Sequence, residues 1–171
     1  MERKGIITFK GNPLTLVGSE VKVGDKAPPF EVLDQTLAPV TLSSFAGKVK
    51  IVSVTPSLDT PVCNLQATTF NEKARALSPD IVILNISMDL PFAIARFCEG
   101  KGIDNLRTLS DHRAASFGQA YGVLVGELRL LARSVFVIDK ADMIRYIEIV
   151  PEMTHEPDYE KALAEARKLV S

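Results

Sequence analysis

The chain has 171 residues, 46% of them hydrophobic and 24% charged, with a formal net charge of −1. That is an ordinary globular balance for one domain with a real core, and it lacks the basic excess of an electrostatic nucleic-acid or membrane binder. Two cysteines are too few for a disulfide scaffold, so in a reducing compartment they are either inert core residues or chemically employed.

The N-terminal M-E-R-K-G-I-I-T-F-K-G-N-P has basic residues but no apolar targeting core, and the expected location is cytoplasmic. I-I-T-F and L-T-L-V-G flank the turn formers G-N-P and predict a β-hairpin. E-V-K-V-G follows as a second extended piece, ended by G-D-K-A-P-P. V-K-I-V-S-V, from Val49, is apolar enough for a strand covered on both faces. Residues 61–77 place Ala67, Phe70, Ala74 and Leu77 on one helical face, stopped by Pro79. D-I-V-I-L-N-I-S is the next buried strand. Residues 91–101 form a short helix opened by Pro91 and closed by Gly100 and Gly102.

Further on, L-R-T-L-S predicts a strand and residues 113–121 a helix. The apolar stretch 121–138 is interrupted by Glu127, Arg129 and Arg133, so it makes a poor membrane span. S-V-F-V-I-D and M-I-R-Y-I-E-I-V are strands joined by D-K-A-D, and residues 157–169 close the chain as a helix with Tyr159, Leu163, Ala166 and Leu169 inward. The order is a hairpin, then βαβαβα, then ββα. It implies an α/β fold with a central mixed sheet flanked by helices, of thioredoxin-like outline, with an N-terminal β-hairpin extension over 1–25.

The chemistry concentrates at T-P-S-L-D-T-P-V-C, 55–63. Thr60 is a good helix N-cap, its hydroxyl able to accept from first-turn amides, and Pro61 suits the first helical position. Cys63 then falls third, against unpaired N–H donors and the positive end of the helix dipole, which favour a thiolate. It also lies just past the carboxyl end of a parallel strand, where open α/β sheets place ligands. The plain alternative is a buried cysteine that fills space behind an ordinary cap.

P-S-L-D-T-P-V-C has the form P-x-x-x-T-x-x-C at Pro56, Thr60 and Cys63, and resembles the active-site motif of the peroxiredoxins. With T-F-K-G-N-P-L-T-L-V-G, S-M-D-L-P-F-A-I-A-R-F-C, S-D-H-R and L-A-R-S-V-F-V-I-D, nearly the whole chain is similar to their thiol peroxidase branch, the atypical two-cysteine peroxiredoxins. The resemblance implies a single thioredoxin-like domain over 1–171. It makes Cys63 the nucleophile that attacks a hydroperoxide and becomes a sulfenic acid. Thr60 would bind the thiolate and the peroxide, Arg133 would hold positive charge near the sulfur, and Pro56 would shield the pocket from water. Taken alone, an arginine before a strand is usually a solvated end residue.

Cys98, 35 residues after Cys63, becomes by resemblance the resolving cysteine that forms an intrachain disulfide with it. Its plain reading is a buried cysteine on the inner face of a short helix beside Phe97. Helix-borne cysteines on separate elements rarely meet disulfide geometry without movement, so residues 91–102 are expected to rearrange on oxidation. The resemblance also implies recycling by thioredoxin and a homodimer. No metal, haem or flavin is needed, because the thiolate supplies both electrons.

Three other readings compete. A thioredoxin-type oxidoreductase would want C-x-x-C, but Asn64, Leu65 and Gln66 follow Cys63. A zinc site from Cys63, Cys98, His112 and His155 lacks the short spacings such sites prefer, and both histidines read as surface or loop residues. A non-enzymatic interaction or chaperone module with silent cysteines is the remaining alternative. No phosphate-binding glycine motif is present.

Overall fold

The computed structural model describes residues 1–170. The hairpin pairs β1 (Glu2–Phe9) with β2 (Asn12–Val17). Its turn is centred on Lys10 and Gly11, both at positive φ, so Asn12 and Pro13 belong to β2 and not to the turn expected at G-N-P. A two-residue loop with both residues left-handed matches the natural twist of the flanking strands. The extended piece expected at E-V-K-V-G is not a strand; residues 20–24 run as coil and turn.

Two short strands follow, β3 (Glu31–Leu33) and β4 (Pro39–Thr41), joined by a turn that the Asp34 carboxylate organises by accepting from the Thr36 and Ala38 amides. A 3-10 turn at Leu42–Phe45 leads to β5 (Val49–Val54), buried at every position. The core of the molecule alternates from there as expected: α1 (Pro61–Ala74), β6 (Ile81–Ser87), α2 (Pro91–Lys101), β7 (Arg107–Ser110) and α3 (Ser116–Ala120). The two-residue strands β8 (Leu124–Val125) and β9 (Leu130–Leu131) precede β10 (Ser134–Ile138), β11 (Ile144–Ile149) and α4 (Tyr159–Lys168).

The large sheet has the order β11-β10-β5-β6-β7-β3-β4. β5, β6 and β7 are parallel, and the rest pair antiparallel. The hairpin does not join it. It pairs instead with β8, forming a four-stranded sheet in the order β1-β2-β8-β9.

Strand alternation assigns the two faces of the large sheet. Val49 and Ile51 of β5, with Val135 and Val137 of β10, pack under Ala67 and Phe70 of α1, Ile94 and Cys98 of α2, and Leu163 of α4. Val52, Val54 and Phe136 point the other way, into a cluster with Phe30, Phe117 and Tyr121. There Phe117 stacks on Tyr121 at 4.3 Å between ring centroids.

Helix ends differ slightly from the expected ones. α1 stops at Ala74, and Arg75–Leu77 tighten into bonds of 3-10 type before Pro79. Gly100 lies inside α2; the residue that ends it is Gly102, at φ 64°. Such a left-handed C-cap is the ordinary use of glycine. α3 is shorter than expected, and the buried Asp111 carboxylate accepts from its Phe117 and Gly118 amides. No helix among the described residues is long and apolar enough to cross a membrane.

Candidate active site

Cys63 lies in the first turn of α1, at the carboxyl end of β5, and is fully buried. Pro61 opens the helix as expected. Thr60 occupies the N-cap position but does not cap through its side chain. Its Oγ1 donates to the Ser57 carbonyl at 3.0 Å, and its own carbonyl accepts from the Asn64 amide at 2.9 Å. The expected hydroxyl-to-amide cap is therefore absent. The proton of this hydroxyl is committed to Ser57, which leaves the oxygen's lone pairs as its free capacity.

Arg133 is not a solvated end residue. It is 2% exposed, and it precedes β10, whose Ser134 is paired with Val54 at the end of β5. That register brings residue 133 beside the β5–α1 loop. By the two-residue alternation it shares the face of Val135 and Val137, the face that α1 covers. Its Nη2 lies 3.3 Å from Cys63 Sγ.

Three further bonds fix the guanidinium. Nη1 donates to Gln66 Oε1 at 2.9 Å, while Nε and Nη2 donate to the Met153 carbonyl at 2.9 and 2.8 Å. Gln66 is itself fully buried and held by Ser53 Oγ, which accepts from its Nε2 at 2.8 Å. Among the described residues, no carboxylate pairs with Arg133 within 4 Å. A buried cation whose other partners are neutral acceptors stabilises negative charge on the one sulfur beside it.

The Met153 carbonyl is positioned in turn by the hairpin. The Met153 amide donates to the Thr8 carbonyl at 2.9 Å, and the Thr8 amide donates to the Pro151 carbonyl at 2.7 Å. Glu152 reinforces the junction by accepting from Gly11 N at 2.8 Å and from Thr8 Oγ1 at 3.0 Å. The hydroxyl of Thr154, with these donors, holds the Glu152 carboxyl well below the usual range. Thus the N-terminal extension supports the far side of the arginine's binding pocket.

Beside Arg133 and the start of α1 lies a cavity of about 400 Å³, lined mainly by apolar groups. Pro56, Thr60 and Arg133 line it from the Cys63 side, with Phe9, Leu128 and Leu130 among the outer walls. Pro56 is buried. The structure thus brings Pro56, Thr60, Cys63 and Arg133 together. It adds Gln66 and the Met153 carbonyl, which sequence reasoning missed. Gln66 had a legible signal, since a residue three beyond Cys63 in a helix shares its face.

Cys98 sits elsewhere, on the inner face of α2, 7% exposed. Its Sγ contacts Thr108 Oγ1 at 3.3 Å. Burial pushes its thiol up, and the Thr108 hydroxyl offsets part of that. Both cysteines are free thiols.

Comparisons with known proteins identify the family. The family model described as Redoxin matches residues 22–163. The chain is 56% identical to the thiol peroxidase of Halalkalibacterium halodurans, over 94% of this chain and 96% of that one. It is likewise 56% identical to the thiol peroxidase of Bacillus subtilis, over 96% of this chain and 98% of that one. The chain belongs to the thiol peroxidases of the redoxin, or peroxiredoxin, family.

Solved structures carry the same fold. A peroxiredoxin-like protein from Aquifex aeolicus superposes with a TM-score of 0.90 at 40% identity, covering 98% of this chain and 99% of that one. The thiol peroxidase from Chromobacterium violaceum, at 24% identity, shares the fold with a TM-score of 0.83 over 95% of this chain and 97% of its own. The thioredoxin-like peroxiredoxin architecture expected from the sequence is therefore the observed one. As a thiol peroxidase the protein is an enzyme acting on hydroperoxides, and the silent-cysteine alternative falls away.

Proposed function

We propose that Cys63 is the peroxidatic nucleophile and Cys98 the resolving one. The single observation that carries the first role is Arg133 Nη2, fixed 3.3 Å from Cys63 Sγ with no carboxylate partner of its own among the described residues. The Cys63 thiolate attacks the terminal oxygen of a hydroperoxide, the O–O bond breaks, and the alkoxide or hydroxide leaves with a proton to become alcohol or water. The sulfur is left as a sulfenic acid. Arg133 faces the charge that moves from sulfur to leaving oxygen, and the free lone pairs of Thr60 suit the peroxide O–H. Pro56 limits the water that reaches the thiol.

Cys98 then attacks the sulfenic sulfur, a disulfide forms, and the hydroxyl leaves as water with the Cys98 proton. A dithiol protein of thioredoxin type would return two electrons and two protons. The 400 Å³ of apolar cavity supports organic hydroperoxides as substrates beside hydrogen peroxide. By resemblance to the family the working form is a homodimer in the cytoplasm.

The test is reduced protein given one equivalent of hydrogen peroxide, followed by thiol titration and intact mass. Loss of both thiols with a mass drop of two hydrogens, absent in Cys63→Ser, is the expected result. A stable singly oxygenated Cys63 would remove Cys98 from its role, and two persistent thiols would overturn the whole reading.

A further inference from the structure

The segment S-M-D-L-P-F-A contains a charged residue that none of the steps above uses. Asp89 lies in the turn between the end of β6 and Pro91, the first residue of α2. It is half-buried, and its carboxylate faces the other cysteine-bearing segment. Oδ1 accepts from Ser57 Oγ at 2.8 Å, while Oδ2 accepts from the Leu58 amide and from Ser87 Oγ, both at 2.8 Å. Its backbone carbonyl accepts from Ser110 Oγ at 2.5 Å, which fixes the turn to the end of β7.

Ser57 and Leu58 begin the turn that ends at the N-cap of α1. The Ser57 carbonyl accepts from both the amide and the hydroxyl of Thr60, at 3.2 and 3.0 Å. A chain of bonds therefore runs from Asp89 through Ser57 to Thr60. Across it, the 57–59 turn and α2 are separated by a cleft of about 480 Å³ that Asp89, Arg96 and Phe97 line from the α2 side. Asp89 is the bridge over that cleft.

We propose that Asp89 is a positioning residue for peroxide reduction: it locks the 57–60 turn to the root of α2 and so sets where the Thr60 hydroxyl meets the substrate. The inference rests on the roles given above to Cys63 and Thr60. A carboxylate suits the task because it accepts from one amide and two hydroxyls at once. An asparagine keeps the shape but offers one acceptor oxygen, and its amide hydrogens would face the donors. The same lock gives α2 a fixed end.

The experiment uses the Cys98→Ser protein, in which Cys63 chemistry stops at the sulfenic acid. The second-order rate with hydrogen peroxide is measured by stopped flow, beside the rate of alkylation of Cys63 by iodoacetamide. Alkylation needs the thiolate and access to it but no aligned Thr60. Asp89→Asn and Ser57→Ala should each slow the peroxide reaction by about tenfold or more and leave alkylation within about twofold. Ser57→Thr, which keeps the hydroxyl, should restore the rate, and the double variant should be no slower than the slower single one.

Peroxide rates within about twofold of the parent in both single variants would overturn the proposal, as would alkylation falling in step with them. If Asp89→Asn does not fold, the Ser57→Ala and Ser57→Thr pair decides the question by the same two rates. A parent that ignores peroxide would overturn the Cys63 reading and this proposal with it. A fast parent with equally fast variants overturns Asp89 alone.

Discussion

Gln66 Oε1 accepts from Arg133 Nη1 at 2.9 Å, one helical turn beyond Cys63, so the helix that carries the thiol also orients the cation beside it. Gln66→Met fills similar space but leaves a buried N–H of a charged group without an acceptor. The expected cost is about 2 kcal/mol of stability and about a tenfold slower reaction with peroxide. Urea unfolding and stopped-flow kinetics on the same samples measure the two effects.

Arg133→Lys should fare little better than Arg133→Met. A lysine ammonium is a single point of charge and cannot serve Cys63, Gln66 and the Met153 carbonyl together, as the guanidinium fork does. Both substitutions should lower the second-order rate with hydrogen peroxide by about a hundredfold or more. A lysine variant close to the parent would show that charge alone suffices and that the fork is dispensable.

Oxidation should loosen residues 91–102. Only Pro91, Ile94 and Cys98 of α2 are buried, so drawing Cys98 to a sulfur on α1 removes one of three inward anchors. Amide exchange across the segment should be faster in the disulfide form than in the dithiol form, while β5 and β6 stay protected. Equal protection in both forms would mean that the cysteines meet without this rearrangement.

The outer cavity wall should discriminate among substrates. Phe9→Ala and Leu128→Ala remove apolar surface remote from the sulfur. KM for a bulky aryl hydroperoxide should rise by about tenfold, with hydrogen peroxide hardly affected. Steady-state kinetics with the two substrates provides the comparison.

Asp111 gives a pH signature. Burial raises its carboxyl to about 6, outweighing the Gly118 and Phe117 amides that pull it down. The folded chain therefore holds this proton to about pH 6, whereas the unfolded chain releases it near 3.8. The contribution of this group to stability is complete below the lower value and is lost as pH rises between the two, by about 3 kcal/mol. Asp111→Asn has no such proton to lose. From about pH 4 to about pH 7 its stability should gain on the parent by that amount, read from urea midpoints at each pH.

Legibility in the sequence follows the physics of each element. β5, β6 and β10 are readable because nearly continuous apolar runs rich in Val and Ile identify strands inside a sheet, and β11, at the sheet edge, because Ile and Tyr recur among its charged residues. β3, β4, β8 and β9 are not, since two or three residues carry no period, and β3 and β8 also depend on partners distant in the chain, β7 and β2. Around Cys63 the local signals are sound for Pro61 and for the place of Thr60, but not for the direction of its hydroxyl. Arg133 looks solvated in sequence because its burial depends on register: Ser134 opposite Val54 delivers it to the thiol, and a slip of one residue would turn it to the other face. The Met153 carbonyl has no signal at all, because a backbone acceptor is specified by fold and not by side chain.

The clasp between the hairpin and the 151–154 loop bears on how the enzyme comes into being. A ribosome that has delivered the first hundred residues has already made both cysteines, but neither Arg133 nor the carbonyl that receives it. That carbonyl is seated only when Met153 meets Thr8, which joins the loop after the last strand synthesised to the first strand. The nascent thiol thus emerges without the cation that faces it in the finished enzyme, and it acquires that partner only as the two ends of the chain close on each other.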